Sequence, residues 1–287
     1  MGEVIIIGGG PAGVSAALYT ARAGINTTII ENGAGALWKA EKIENYYGLK
    51  KPVSGSELYA IGLSQAEKTG AKIVKEEVVG LGYEDKFKVV TTSGQYFADA
   101  VIIATGAARN TPKIKGIENL EGSGVSYCAV CDGFFYRGKD VAVLGGGEYA
   151  IHEASVLLPL ANSVTLLTDG EEISVEVPEG IKINDAKIKE VEGKQRLEAV
   201  VFEDETRLEI SGLFVALGTA GASDIAKKIG AQVNGSSVTV DENMNTNLPG
   251  IYAAGDCTGG LLQIAKAVYQ GMQAGFSAIK YIKNKEA

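Results

Sequence analysis

Histidine is all but missing from this chain of 287 residues: His152 is the single one. That excludes clusters of histidine metal ligands and argues against a histidine-dependent catalytic triad. Cysteine is nearly as scarce, with only Cys128, Cys131 and Cys257. One close pair and one leftover, without an export signal, do not make a disulfide scaffold; they point to redox or metal chemistry in the cytosol. Prolines number 6 and the glycines follow no G-X-Y period, which excludes collagen and low-complexity disorder. Positive charge is short as well. The balance of 27 Lys+Arg against 35 Asp+Glu leaves −8, which argues against nucleic-acid binding. No apolar run reaches the roughly 18 residues of a membrane span. The stretch Met1–Ile7 has neither a basic start nor a cleavage pattern, so no signal peptide and a cytoplasmic location are expected. Ile6 stands where an N-myristoylation signal requires Ser or Thr.

Glycine is what the chain has in excess, 38 residues. Such an excess marks tight turns and places where backbone approaches a ligand. Val4-Ile5-Ile6-Ile7 is a short apolar run, as in a buried parallel strand. Gly8, Gly10 and Gly13 follow with G-x-G-x-x-G spacing, enclosing Pro11 and Ala12. A helix is predicted over 12–23 and a second strand over 27–30, with Glu31 and Asn32 at its end. Gly8 permits the tight turn, Gly10 lets backbone approach a pyrophosphate, and Gly13 lets helix and strand pack closely. The helix N-terminus offers N–H groups and a positive dipole end to phosphates. Glu31 is placed to accept hydrogen bonds from a ribose.

The same unit recurs 137 residues further on, without a gap. Val4 matches Val141, Gly8–Gly10 match Gly145–Gly147, Gly13 matches Ala150, and Thr28-Ile29-Ile30 match Thr165-Leu166-Leu167. Residues 141–170 are therefore a second nucleotide-binding-like unit, the pattern of flavin-plus-pyridine-nucleotide oxidoreductases. At its strand end Thr168 replaces Glu31, and Asp169, Gly170, Glu171 and Glu172 follow. The 2′-phosphate of NADPH needs Arg or Lys there, and these acids repel it. Asp169 reaches an NADH ribose if the strand end shifts by one residue; otherwise the unit is a fold relic.

Cys128-Ala129-Val130-Cys131-Asp132-Gly133 is the most informative stretch. A Cys-x-x-Cys pair can form a disulfide that opens and closes during exchange. Asp132 beside it can move protons as thiolates form and leave. Half a zinc site is the competing reading; it needs two further ligands, and only Cys257 and His152 remain. Residues 101–106 form a buried strand ending in Ala104-Thr105-Gly106, and residues 213–218 repeat the theme. Residues 251–256 end in Gly255-Asp256, and a helix predicted over 263–282 opens with Gln263-Ile264-Ala265. Strand carboxyl ends face the ligand crevice in such sheets. Asp256 is therefore placed at a ribityl hydroxyl or phosphate water, though alone it reads equally as a turn acid. Cys257 reads as a packed core thiol. Trp38 and Tyr46-Tyr47 read as core aromatics or as a wall of the flavin site.

On Gly8–Gly13 with Glu31, Ala104-Thr105-Gly106, Cys128–Phe135, Gly145–Ala150 and Gly255-Asp256, the chain resembles the low-molecular-weight thioredoxin reductases over nearly its whole length. The Cys-Ala-x-Cys-Asp-Gly stretch is specific to that family. The resemblance implies an α/β fold of two Rossmann-like three-layer domains. One is a discontinuous FAD domain, residues 1–110 and 219–287. The other is an inserted, smaller pyridine-nucleotide-type domain, residues 111–218, carrying the dithiol. It also implies a homodimer, and FAD held non-covalently by Gly8, Gly10, Pro11, Ala12, Gly13, Glu31, Asn32, Ala104, Thr105, Gly106, Gly255, Asp256, Gln263, Ile264 and Ala265. By motif, Cys131 is the cysteine near the flavin, Cys128 attacks the thioredoxin disulfide, and Asp132 handles protons. Hinges are expected over 106–111 and 217–219, where the chain crosses between domains.

The departures from the family bear on the electron donor. NADPH-using members have a His-Arg-Arg run where Thr168-Asp169-Gly170 stands here. The stretch 170–212 is shorter than theirs and is expected to lack a helix. Their last helix opens with Arg-Gln-Ala rather than Gln263-Ile264-Ala265. A shrunken, acid-lined nucleotide domain is similar to that of the ferredoxin-dependent flavin thioredoxin reductases, so ferredoxin is the expected donor. Lys39, Lys42, Lys50 and Lys51, and Arg109, Lys113, Lys115, Arg137 and Lys139 around the dithiol, are candidate docking residues for an acidic partner. NADH- or NADPH-dependent thioredoxin reduction, and a flavin-bound redox sensor without turnover, are the alternatives.

Overall fold

The computed structural model describes residues 2–33, 35–106, 112–173, 175–218 and 220–286. Arg109, the expected hinge residues 107–111 and 219, and the side chain of Lys39 lie outside the described residues. The chain divides into two compact units, Met1–Arg109 with Gly221–Ala287, and Asn110–Ala220.

From its start the chain forms β1 (Glu3–Ile7), α1 (Pro11–Arg22), β2 (Asn26–Glu31), α2 (Gly55–Lys68) and β3 (Lys72–Lys75). A meander of β4 (Val78–Glu84), β5 (Lys86–Thr91) and β6 (Gln95–Ala98) leads to β7 (Ala100–Ile103). The second unit holds β8 (Val125–Ser126), α3 (Ala129–Asp132), β9 (Asp140–Leu144), α4 (Glu148–Leu157), β10 (Ser163–Leu167) and β11 (Ile181–Asn184). Its own meander, β12 (Ile188–Glu192), β13 (Ala199–Phe202) and β14 (Arg207–Glu209), precedes β15 (Gly212–Val215). The chain then returns to the first unit with α5 (Ala222–Lys228), β16 (Val233–Asn234), β17 (Ser237–Val238), β18 (Ile251–Ala253) and α6 (Ile264–Glu286). None of the described helices is long and apolar enough to cross a membrane.

Each unit is built on a five-stranded sheet, β18-β7-β1-β2-β3 in the first and β11-β10-β9-β15-β8 in the second. All neighbours in both sheets pair in parallel. The 137-residue repeat survives in the register: Ile7 pairs with Ile30, and Leu144 pairs with Leu167. Central strands of a parallel sheet are covered on both faces and so read as unbroken apolar runs. Val4–Ile7 and Val141–Leu144 are buried throughout, as this requires. The protein is thus an α/β fold of two Rossmann-like units, with the second inserted between β7 and α5 of the first. Among the described residues of 171–211 there are strands and turns but no helix. The last helix runs from Ile264 to Glu286, starting one residue later and ending four residues later than predicted.

Candidate active site

In the first unit the carboxyl ends of β1 and β7, the turn after β18 and the starts of α1 and α6 enclose a cleft of about 450 Å³. Its local geometry follows from a few residues. Gly8 has φ +113, and a Cβ there would sit 2.3 Å from the Ala104 carbonyl oxygen. A Cβ on Gly13 would sit 1.9 Å from the Gly8 carbonyl oxygen. Only glycine at both positions lets α1 begin hard against the loop. No side chain caps α1, whose N-cap residue is Gly10, so its first N–H groups are left for a ligand.

Of the predicted cofactor residues, Gly8, Gly10, Pro11, Ala12, Ala104, Thr105, Gly106, Gly255, Asp256, Gln263 and Ile264 line this cleft. Gly13 lies behind the loop as its packing partner. Three residues depart from expectation: Glu31 is buried against Gly9 and is not on the cleft wall, and Asn32 and Ala265 also lie off it. Asn32 is exposed and its amide donates to Glu77 Oε2 at 3.1 Å, away from the cleft. Ala265 is exposed, and Ala267 supplies the wall instead, because α6 packs on α1 through the face that carries Ala267, Gly271 and Ala274. Glu31 is 4% exposed. Its Oε2 accepts from the Tyr59 hydroxyl and from the Gly33 N–H at 2.7 Å. Burial, and then the hydrogen bond to Glu31, raise the Tyr59 pKa. The sequence did not single out Tyr59, which lies 28 residues from Glu31. Trp38 is not a core residue: it is 58% exposed and meets Tyr59 edge-on. Tyr47 is fully exposed, and Tyr46 lines an apolar pocket beside the cleft.

The cleft suits a dinucleotide by its unsatisfied polar atoms. Thr105 Oγ1 and Asp256 Oδ1 are buried without a hydrogen-bond partner, which is costly unless a ligand completes them. Burial raises the Asp256 pKa, and Lys266 pulls it the other way. An FAD would be held here by the uncapped glycine loop and by these two orphans. Cys257, next to Asp256, is 1% exposed and its pKa is pushed up by burial to about 12, as a packed thiol should be.

In the second unit Cys128 and Cys131 form a disulfide, not half of a zinc site. Cys128 is the N-cap of α3, and its Sγ accepts the Cys131 N–H at 3.2 Å. Asp132 is held by the Ser126 hydroxyl, which donates to its Oδ2 at 2.6 Å. Ser126 Oγ in turn accepts the Cys128 N–H at 3.1 Å. The buried Glu153 of α4 accepts the Ala129 N–H at 2.6 Å and pins the start of the dithiol turn; the sequence held no signal for it. Cys128 is 2% exposed whereas Cys131 is exposed. The sulfur assigned by motif to attack a protein partner is therefore the covered one here.

The second glycine loop differs from the first in what covers it. Ala150 replaces a glycine, and its Cβ would stand 3.0 Å from a Cβ on Gly145. Thr168 is buried, with a hydroxyl that has no hydrogen-bond partner. Asp169 has φ +54 and its Oδ1 accepts the Ile188 N–H at 2.7 Å. Its carboxylate is thereby committed to the protein rather than shifted toward a ribose. Over Gly146 a Cβ would meet the Glu172 carbonyl oxygen at 3.5 Å and Ile173 Cα at 3.8 Å. The chain itself rests on this loop.

Several candidate docking cations are engaged. Lys42 lines the cleft and pairs with Glu44 at 2.8 Å, and Lys115 pairs with Glu190 at 2.6 Å. Arg137 stacks over Phe134 and Lys139 lies over Tyr136. Lys50, Lys51 and Lys113 are exposed.

A family profile described as pyridine nucleotide-disulphide oxidoreductase matches residues 2–271. The thioredoxin reductase of Aquifex aeolicus (strain VF5) is 37% identical over 305 residues, covering 99% of this chain and 94% of that protein. The crystal structure of the atypical thioredoxin reductase TRi from Desulfovibrio vulgaris Hildenborough is similar at TM-score 0.94 and 43% identity, over 99% of both chains. A ferredoxin-flavin thioredoxin reductase from Clostridium acetobutylicum is similar at TM-score 0.74 and 30% identity, over 99% of this chain and 98% of that one. The expected placement nearest the ferredoxin-dependent branch is not matched by similarity: among these three relatives, identity to the ferredoxin-flavin enzyme is the lowest.

Proposed function

The chain belongs to the pyridine nucleotide-disulphide oxidoreductase family, among its FAD-binding thioredoxin reductases, and from this premise we propose that it reduces thioredoxin through Cys128–Cys131 with electrons from ferredoxin. When bound, FAD supplies the electron pair that opens the disulfide, and it can collect that pair one electron at a time. The first unit holds it through the glycine loop, Thr105 and Asp256, and the second presents the dithiol.

In the exchange Cys128, whose sulfur accepts the Cys131 N–H, is the attacking cysteine. It attacks one sulfur of the thioredoxin disulfide; the other leaves and takes up a proton. Cys131 then attacks Cys128 Sγ, re-forming the disulfide and releasing the second thioredoxin thiol. Asp132, oriented by Ser126, takes the proton from the Cys131 thiol and passes it to the departing sulfur. Two electrons and two protons move per turnover. Since Cys128 is covered, its attack requires the dithiol segment to be uncovered first.

The donor reading is carried by one observation: residues 172–173 lie on Gly146 while the Asp169 carboxylate is committed to Ile188. Residues 168–175 read Thr-Asp-Gly-Glu-Glu-Ile-Ser-Val, with no Arg or Lys for a 2′-phosphate; the Lys187 side chain packs on Gly170 among these acids. Likeness to the Aquifex enzyme supports the thioredoxin chemistry; of the relatives described above, the ferredoxin-flavin enzyme of Clostridium acetobutylicum, the least similar in sequence, is the one that favours ferredoxin as donor. Anaerobic assays with thioredoxin and ferredoxin, NADPH or NADH test the reading. Thioredoxin reduction with reduced ferredoxin alone is expected. Rapid bleaching of the flavin by either nicotinamide would overturn the ferredoxin assignment. A homodimer is the assembly we propose, supported by the exposed aromatics Tyr19, Tyr269 and Phe276 of the first unit; light scattering at a single-chain mass would sink it.

A further inference from the structure

The connection between β18 and α6 contains a lysine that the dithiol chemistry and the glycine loop leave unused. Lys266 lies in the first turn of α6, where the helix dipole disfavours a cation. Its ammonium turns back and donates to the Gly255 carbonyl at 2.9 Å, the Gly259 carbonyl at 2.6 Å and Thr258 Oγ1 at 3.2 Å. Gln270, four residues on and so on the same helix face, accepts the Gly255 N–H and the Thr258 hydroxyl, each at 3.0 Å. One face of α6 thus ties both ends of the turn, whose glycines sit at φ +88 and +74. Asp256 sits inside the tied turn on the wall of the cleft, with Oδ1 buried and unpartnered. Burial pushes its pKa up while Lys266 opposes that shift; the same burial lowers the pKa of Lys266.

We propose that Lys266 is a positioning residue for FAD: it staples the Gly255–Gly259 turn and so holds the Asp256 carboxylate aimed into the cleft. The inference rests on the cleft being the FAD site. It assigns Lys266 no contact with FAD, so its effect must pass through Asp256. Removing the cation leaves two carbonyls uncompensated, and the turn then costs more to order around the ligand.

The test is a double-mutant cycle on the purified holoenzyme, stripped of FAD and titrated with it. Flavin fluorescence quenching gives affinity, the flavin absorption band reports its surroundings, and melting of the apoprotein reports folding. Lys266→Met and Asp256→Asn are each expected to weaken FAD about tenfold or more, and Lys266→Arg to stay within about threefold. The double variant is expected to bind within about twofold of Asp256→Asn, since coupled residues lose their effect together. Native FAD affinity in Lys266→Met overturns the proposal, as do losses that multiply in the double variant. If Lys266→Met does not fold, Lys266→Gln takes its place, with the same tenfold loss expected and native affinity again overturning the idea. Native affinity in Asp256→Asn would instead overturn the cleft as the FAD site.

Discussion

Cys128 and Cys131 differ in burial though only three residues apart, and that difference can be read chemically. Cys131→Ser should accumulate a mixed disulfide between Cys128 and thioredoxin, visible on a non-reducing gel, because the resolving thiol is gone. Cys128→Ser should form no such adduct if the role assignment holds. Asp132→Asn removes the proton carrier and keeps the Ser126 contact possible; turnover should fall about a hundredfold, within the usual range for a lost general acid–base. Its FAD content, read from the visible absorbance, should not change. Cys257 offers a control. With its pKa pushed up to about 12 and the residue 1% exposed, it should resist thiol reagents in the reduced native protein and react only on unfolding. The linkage sign follows. Unfolding returns this thiol to its ordinary value of 9.0, so its contribution is intact below pH 9 and is lost as pH rises toward 12. Urea midpoints of the wild type should fall with pH in that window more steeply than those of Cys257→Ala.

The two glycine loops, similar in sequence, are different elements in three dimensions. In the first, α1 starts so close to the loop that a Cβ on Gly13 would lie 1.9 Å from a carbonyl oxygen. Gly13→Ala should therefore force α1 outward, cost about 1–3 kcal/mol in denaturant melts and release FAD. In the second, α4 already tolerates Ala150. Ala150→Gly should cost about 2 kcal/mol, from helix propensity and the loss of a buried methyl, with no effect on FAD. Equal responses at the two sites would show that the loops share one function.

At the scale of the whole molecule the discontinuity of the first unit matters most. Its sheet is completed by β18, which pairs with β7, and its main helix contact is α6 against α1. Both arrive only after the inserted unit. A chain ending at Ala220 should express without bound flavin, since Gly255, Asp256 and the α6 wall are lost together; a yellow product would contradict the cleft as described. The inserted unit keeps its own five-stranded sheet and core. It should therefore retain protection from hydrogen exchange in that truncated chain.

The sequence by itself determined the buried strands, the two glycine loops, the repeat at 137 residues, the paired cysteines and the family. Each of these is local or periodic: an apolar run, a spacing, an offset. Backbone conformation and the choice of covered face follow from such patterns directly. Only the tertiary structure decided who meets whom. Asn32 pairs with Glu77, which lies 45 residues away, and Tyr59 takes Glu31. Ala267 replaces Ala265 at the cleft because the packed face of α6 depends on its contact with α1. Residues 172–173 lie on the second loop, and Lys266 turns back onto the turn before its own helix. These contacts are set by packing between segments distant in the chain and by hydrogen-bond partners that burial makes obligatory, and neither leaves a mark in local sequence.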